Sequence, residues 1–151
     1  MDTKTAREQV FLLLYELELR RSSIISLDDF LRTFFETAED GKTDSSAAPF
    51  EQAIAKEKAK KYISEMVKGI YRTNDSLNKT IEKYLRDWAI ERISKLSLSG
   101  IKLAIYEMKH NEKITPAIAI SEVVKLVMKY EGEEASSFVN GVLGQYVKAS
   151  E

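Results

Sequence analysis

Between Ala59 and Tyr71 the apolar residues fall at Ala59, Tyr62, Ile63, Met66, Val67, Ile70 and Tyr71. This three-and-four spacing keeps one side of an α-helix apolar, and a strand cannot use it, because strand side chains change faces at every residue. The same spacing recurs along almost the whole chain. Ala6, Val10, Leu13 and Leu17, widened by Phe11, Leu14 and Tyr15, predict a first helix that opens near Thr3 or Thr5, both suited to N-capping. Arg20 and Arg21 suit its carbonyl end, where the helix dipole favours cations. Phe30, Leu31, Phe34 and Phe35 mark a second helix from Leu27 to about Ala38, and the stripe from Ala59 to Tyr71 marks the third. A break at Thr73 to Ser76 precedes a fourth helix with core positions Leu77, Ile81, Tyr84, Leu85 and Trp88. The fifth spans roughly Leu96 to Met108. Thr115 caps a sixth, with Pro116 at the first helical position, where a missing N–H has no bond to lose. A seventh covers the C-terminal stretch.

Only two prolines and six glycines interrupt 151 residues, and no segment alternates strictly over the length of a strand. Seven helices with mostly short connections predict an all-α bundle. The break near Asn74 divides it into a three-helix subdomain, residues 1–74, and a four-helix subdomain, residues 75–151. The clearest predicted loop is "EDGKTDSSAAPF", Glu39 to Phe50, polar and marked by Gly41 and Pro49.

Several function classes drop out on composition. The chain has no cysteine, so it offers no disulfide, no thiolate nucleophile and no cysteine-ligated metal. His110 is the single histidine and lies in the polar run "KHNEKIT", which cannot build the common zinc sites. The carboxylates show no EF-hand spacing, the serines no nucleophile elbow, and no glycine-rich phosphate loop is present. We therefore expect a non-enzymatic protein that needs neither cofactor nor metal. The first ten residues lack a signal-peptide layout, and no apolar run is long enough to cross a bilayer, which points to the cytoplasm. Formal net charge is −1 and the sequence pI is about 6.0. Proteins that bind nucleic acid strongly and alone carry a basic excess, so any nucleic-acid role here calls for a partner.

One stretch opposes its own helical pattern. In "SSFVNGVLGQYV" the residues Phe138, Val139, Val142, Leu143, Tyr146 and Val147 keep helical spacing, yet Asn140, Gly141 and Gly144 sit among them. Each mid-helix glycine costs about 1 kcal/mol relative to alanine. On a helical wheel Ser137, Asn140, Gly141 and Gly144 fall together as a strip of small and polar residues. Such a strip predicts close approach of another backbone, with Asn140 able to satisfy polar groups there.

"AREQVFLLLY" (Ala6 to Tyr15), "IKLAIYEM" (Ile101 to Met108), "AISEVVKLVMKY" (Ala119 to Tyr130) and "FVNGVL" (Phe138 to Leu143) occur in this order. Together they resemble the bacterial transcription antitermination factor family NusB, from Thr5 to Tyr146. The resemblance implies two small helical bundles packed together. It also implies binding of a short single-stranded RNA element, boxA, in nascent ribosomal-operon transcripts, as a heterodimer with the ribosomal protein NusE. The complex would help RNA polymerase pass terminators.

Carried over residue by residue, the resemblance assigns RNA contact to Lys4, Arg7, Tyr15, Lys102, Phe138 and Asn140. Lys102 stands where the family usually has arginine, which keeps the charge and loses the bidentate fork. Lys129 and Tyr130 match the end of the family's sixth helix, and Glu91 falls near the region resembling the partner-binding surface. The chain departs from the pattern in having only Lys4 and Arg7 where relatives carry several N-terminal arginines. Fewer phosphate-facing charges lower affinity and flatten its salt dependence. Two other readings fit the residues: a protein–protein module that keeps the NusE surface with little RNA affinity, and an accessory unit to an RNA cytosine methyltransferase. A homodimer that buries the RNA face is also compatible with the sequence.

Overall fold

The computed structural model describes residues 3–24, 26–39, 49–85 and 89–150. Its helices are α1 (Thr3–Arg20), α2 (Leu27–Glu39), α3 (Pro49–Arg72), α4 (Asn74–Glu82), α5 (Lys95–His110), α6 (Pro116–Glu131) and α7 (Glu133–Ser150). No strand occurs among the described residues. The all-α expectation holds, and the helix starts follow the local chemistry. Thr115 Oγ accepts a bond from the Ile118 amide at 3.2 Å, so α6 begins with Pro116 as its capping residue dictates. Ser94 caps α5 in the same way, accepting from the Ser97 amide at 3.0 Å. Gly132, with φ of 97°, turns the chain between α6 and α7 in a conformation that L side chains rarely adopt.

The centre of the molecule is α5, which touches α1, α3, α4, α6 and α7. Every residue from Ser97 to Ile105 is buried, on all sides of the helix. Small residues make this close approach workable. A Cβ on Gly100 would lie 3.0 Å from Val123 Cγ1 and 3.1 Å from Val127 Cγ2 on α6. A Cβ on Gly69 of α3 would collide with the Tyr106 hydroxyl. Val10 and Phe11 of α1, Ile63 and Val67 of α3, Ile101 and Ile105 of α5, Val123 of α6 and Leu143 of α7 belong to one apolar core.

Four local expectations change. The break after α3 narrows to Thr73, because Thr73 N bonds Gly69 O at 3.1 Å and Leu77 N bonds Thr73 O at 2.9 Å, carrying the helical ladder almost unbroken into α4. Tyr84 and Leu85 lie past the end of α4 in tight turns; the loop predicted over Glu39 to Phe50 gives up Glu39 to α2 and Pro49 and Phe50 to α3, and its residues 40–48, like Trp88, lie outside the described residues. Short 3₁₀ turns at Arg21–Ser23 and Ile90–Arg92 have no periodic signal, being too short to show one. The strip on α7 is the fourth. That helix buries Ser136, Val139, Val142 and Leu143, and Ser137, Asn140, Gly141 and Gly144 lie on its opposite, exposed side. Among the described residues nothing stands within 4 Å of a Cβ placed on Gly141 or Gly144, so they do not supply the expected close approach of another backbone there. The close approaches occur at Gly69 and Gly100 instead.

Candidate nucleic-acid interface

Arg7 lies one residue beyond Ala6 and three before Val10, inside the apolar stripe of α1, and the fold turns it inward. It is 5% exposed. Its Nε donates to Glu107 Oε1 and Oε2 at 3.0 and 3.3 Å, reaching across to α5, where Glu107 is 1% exposed. The Tyr62 hydroxyl of α3 donates to the same carboxylate. Burial works against the Arg7 charge, and the bond and field of Glu107 outweigh it, so its pKa rises above the ordinary arginine value. Burial first, then the Glu107 charge, also pushes the Tyr62 phenol well up, and it stays a neutral donor. Three helices are tied through one carboxylate.

A second buried polar group sits nearby on α5. Lys102 is 1% exposed, and its Nζ donates to Glu18 of α1 and to Asn74 Oδ1 at 2.6 Å. Burial drives its pKa below the ordinary lysine value, opposed by the Glu18 bond. The sequence expectation gave Lys102 to RNA, and in the fold its side chain lies in the interior. On a helix enclosed by five others its ammonium faces the interior, and its role is to fasten α1 to the start of α4. The Nε edge of Arg7, also expected to face RNA, is likewise turned inward to Glu107. Lone charges within apolar stripes were the sequence signal for both.

What α1 does present outward is Glu8. Its carboxylate accepts from Lys129 Nζ at 2.7 Å (Oε2) and 3.2 Å (Oε1), and Oε2 accepts from the Tyr130 hydroxyl at 2.7 Å. Tyr130 is anchored from below by Phe11, with ring centroids 5.8 Å apart. Between α1 and α6 runs a cleft of about 160 Å³ lined by Arg7, Glu8, Glu122, Lys125, Leu126 and Lys129. Glu122 lies 3.9 Å from Arg7 Nη1 and 3.6 Å from Lys125 Nζ, both longer than a hydrogen bond. The sequence singled out neither Glu8, Glu122 nor Lys125, because exposed charges on a polar helix face carry no periodic signal.

The other predicted residues lie on three different elements. Lys4 lies in the first turn of α1. Tyr15 is half-buried on the same helix, and Phe138 is half-buried against the core on α7. Asn140 is exposed beside Gly141 and Gly144. Glu91 is exposed on the 3₁₀ turn before α5. His110 stacks on Tyr106 at 4.2 Å between ring centroids, and no group of three or more metal-ligating side chains occurs among the described residues. Among those residues no helix is long and apolar enough to cross a membrane.

Fold and cleft together define a small all-helical protein that carries a charged cleft between its first and sixth helices. Residues 4–148 match the NusB family, and the chain belongs to it. It is 34% identical to the transcription antitermination protein NusB of Acetivibrio thermocellus over 148 residues, 98% of this chain and 90% of that one. The fold is similar to a chain in a crystal structure of a plectonemic RNA supercoil, with TM-score 0.76 and 27% identity over 97% of this chain and 94% of that one. It is also similar to a chain in a crystal structure of antitermination factors NusB and NusE in complex with double-stranded RNA. There the TM-score is 0.72, with 28% identity over 97% of this chain and 96% of the other.

Proposed function

We propose that this chain is a non-enzymatic, RNA-binding transcription antitermination factor that works in the cytoplasm with NusE on boxA-like single-stranded RNA in ribosomal-operon transcripts. The observation that carries this reading is the likeness, over 97% of this chain at TM-score 0.72 and 28% identity, to a chain in the structure of antitermination factors NusB and NusE with double-stranded RNA. The net charge of −1 supports a shared binding task, since a basic ribosomal partner supplies the field that draws in the phosphate backbone. On this chain Lys125, Lys129 and Tyr130 are the accessible donors beside the cleft, and Tyr15, Phe138 and Asn140 are candidates for base contact. Glu91, exposed on its turn, is a candidate for the NusE side.

The test is fluorescence anisotropy of a labelled boxA RNA with this protein, with its cognate NusE, and with both, against a scrambled RNA at two salt concentrations. The expected result is sequence-selective binding by the pair, tighter than by either protein alone and weakened by Lys129→Ala. A stable complex with NusE that does not distinguish boxA from the scrambled RNA would leave a protein–protein module instead. Arg7→Ala is a poor probe, because it strands the buried Glu107 carboxylate.

A further inference from the structure

The donors in the α1–α6 cleft are arranged as if for an anion, and a carboxylate of the chain itself already fills the position. Two donors, Lys129 Nζ and the Tyr130 hydroxyl, converge on one oxygen of Glu8, each at 2.7 Å. Both project from the last turn of α6, and the Tyr130 ring rests on Phe11, so the pair is held in place by packing. Arg7 and Lys125 also line the cleft, their charge offset in part by Glu107 on Arg7 and by Glu122, which forms ion pairs with Arg7 at 3.9 Å and Lys125 at 3.6 Å. A phosphodiester offers two unbridged oxygens with the spread of a carboxylate, and charge-assisted bonds from Lys and Tyr suit both.

We propose that this cleft is a seat for one backbone phosphate of single-stranded RNA, and that Glu8 occupies it in the unbound protein as a built-in competitor. The inference rests on the RNA-binding reading above for the identity of the ligand, and on geometry for the seat itself. Displacing Glu8 is feasible because the pair is at the surface: the Lys129 side chain is 60% exposed and that of Glu8 21%. Exposed ion pairs of this kind contribute little net stability. In the unbound protein the bond to Glu8 holds the pKa values of Lys129 and Tyr130 above their ordinary values, and an ordinary lysine and tyrosine are protonated at neutral pH, so both groups can donate once Glu8 has moved. The cleft volume of about 160 Å³ leaves room for a phosphate group to enter while Glu8 swings aside. Selectivity follows as well: a weakly bound polyanion meets a competing carboxylate, and a strand also held by NusE and by base contacts overcomes it.

Glu8→Gln keeps the shape and an accepting oxygen but removes the charge. The experiment measures binding of tripolyphosphate to the full-length wild type, Glu8→Gln and Glu8→Gln/Lys129→Met by calorimetry. The same proteins are then tested with NusE and boxA RNA by anisotropy, with thermal melts confirming the fold. We expect Glu8→Gln to bind tripolyphosphate about three- to tenfold more tightly, the size of one competing surface charge. The gain should vanish in the double variant, and the RNA affinity of Glu8→Gln should rise with a steeper salt slope. Unchanged or weaker tripolyphosphate binding by folded Glu8→Gln overturns the seat, since it makes Glu8 a positioning residue for Lys129. A gain for tripolyphosphate with no gain for RNA, in a wild type that binds boxA, overturns the RNA assignment. A gain for tripolyphosphate in a protein that shows no boxA preference keeps the anion seat and removes the antitermination reading.

Discussion

Arg7 and Glu8 are neighbours on α1 and make ion pairs of opposite kind. Arg7 turns inward to Glu107, a hundred residues away in sequence, at a site where both side chains are all but sealed from water. Glu8 turns outward to Lys129 and Tyr130, in contact with solvent. In the interior a lost partner leaves a desolvated charge with nothing to balance it, whereas at the surface water takes the partner's place. A cation bonded to a carboxylate therefore acts as structure on one side of the helix and as a replaceable contact on the other.

The largest effect that separates the two is expected from Glu107→Ala. Stranding Arg7 should cost about 3–5 kcal/mol in chemical denaturation, and Arg7→Met/Glu107→Leu should recover most of that loss. A loss below about 1 kcal/mol would put the buried pair in the surface class and erase the distinction. Next come the glycines, which repeat the contrast in packing. Gly100→Ala meets two valine methyls and should be net destabilising, overpacking of about 1–3 kcal/mol outweighing a helix-propensity gain of about 1 kcal/mol. Gly141→Ala meets nothing and should stabilise by about 0.4–1 kcal/mol in the same assay. Destabilisation by Gly141→Ala as well would show that the exposed face of α7 is covered in solution.

Lys129→Ala should leave the melting temperature unchanged while weakening RNA binding by the NusE pair, which a melt and an anisotropy titration read separately. A clear drop in melting temperature would mean that the Glu8 pair is structural after all. The smallest expected effect is in pH dependence. The Tyr62 pKa is raised in the fold, so its stabilising contribution is complete below the ordinary tyrosine value of 10.0 and declines as pH rises above it. Lys102 has the opposite sign: with its pKa lowered, stability from it grows as pH climbs towards the ordinary lysine value of 10.5 and offsets part of that decline. Tyr62→Phe should therefore flatten the fall in stability between pH 9 and 11 that urea midpoints record, and an unchanged slope would contradict the assignment.

Much of the fold was legible because helix periodicity and capping act within a few residues. The stripe at Ala59 to Tyr71 and the Thr115–Pro116 start are decided by neighbours close along the chain, and both stand as read. The site was less legible. The resemblance placed Arg7 and Lys102 on the RNA face, although each interrupts an apolar stripe, the mark of a charge carried into a core. The strip of Asn140, Gly141 and Gly144 was placed together on one side of its helix, but a helical wheel cannot say what lies over that side, and among the described residues nothing stands within 4 Å of a Cβ on either glycine.

By itself the sequence determined seven helices, their apolar faces, the capped start of α6 and membership of a family. Only the tertiary structure decided that Arg7 pairs with Glu107, that Lys102 pairs with Glu18, and that Glu8 meets Lys129 and Tyr130. Periodicity is a property of one helix. Burial, and with it the strength and purpose of a charge, depends on which helices come together around it.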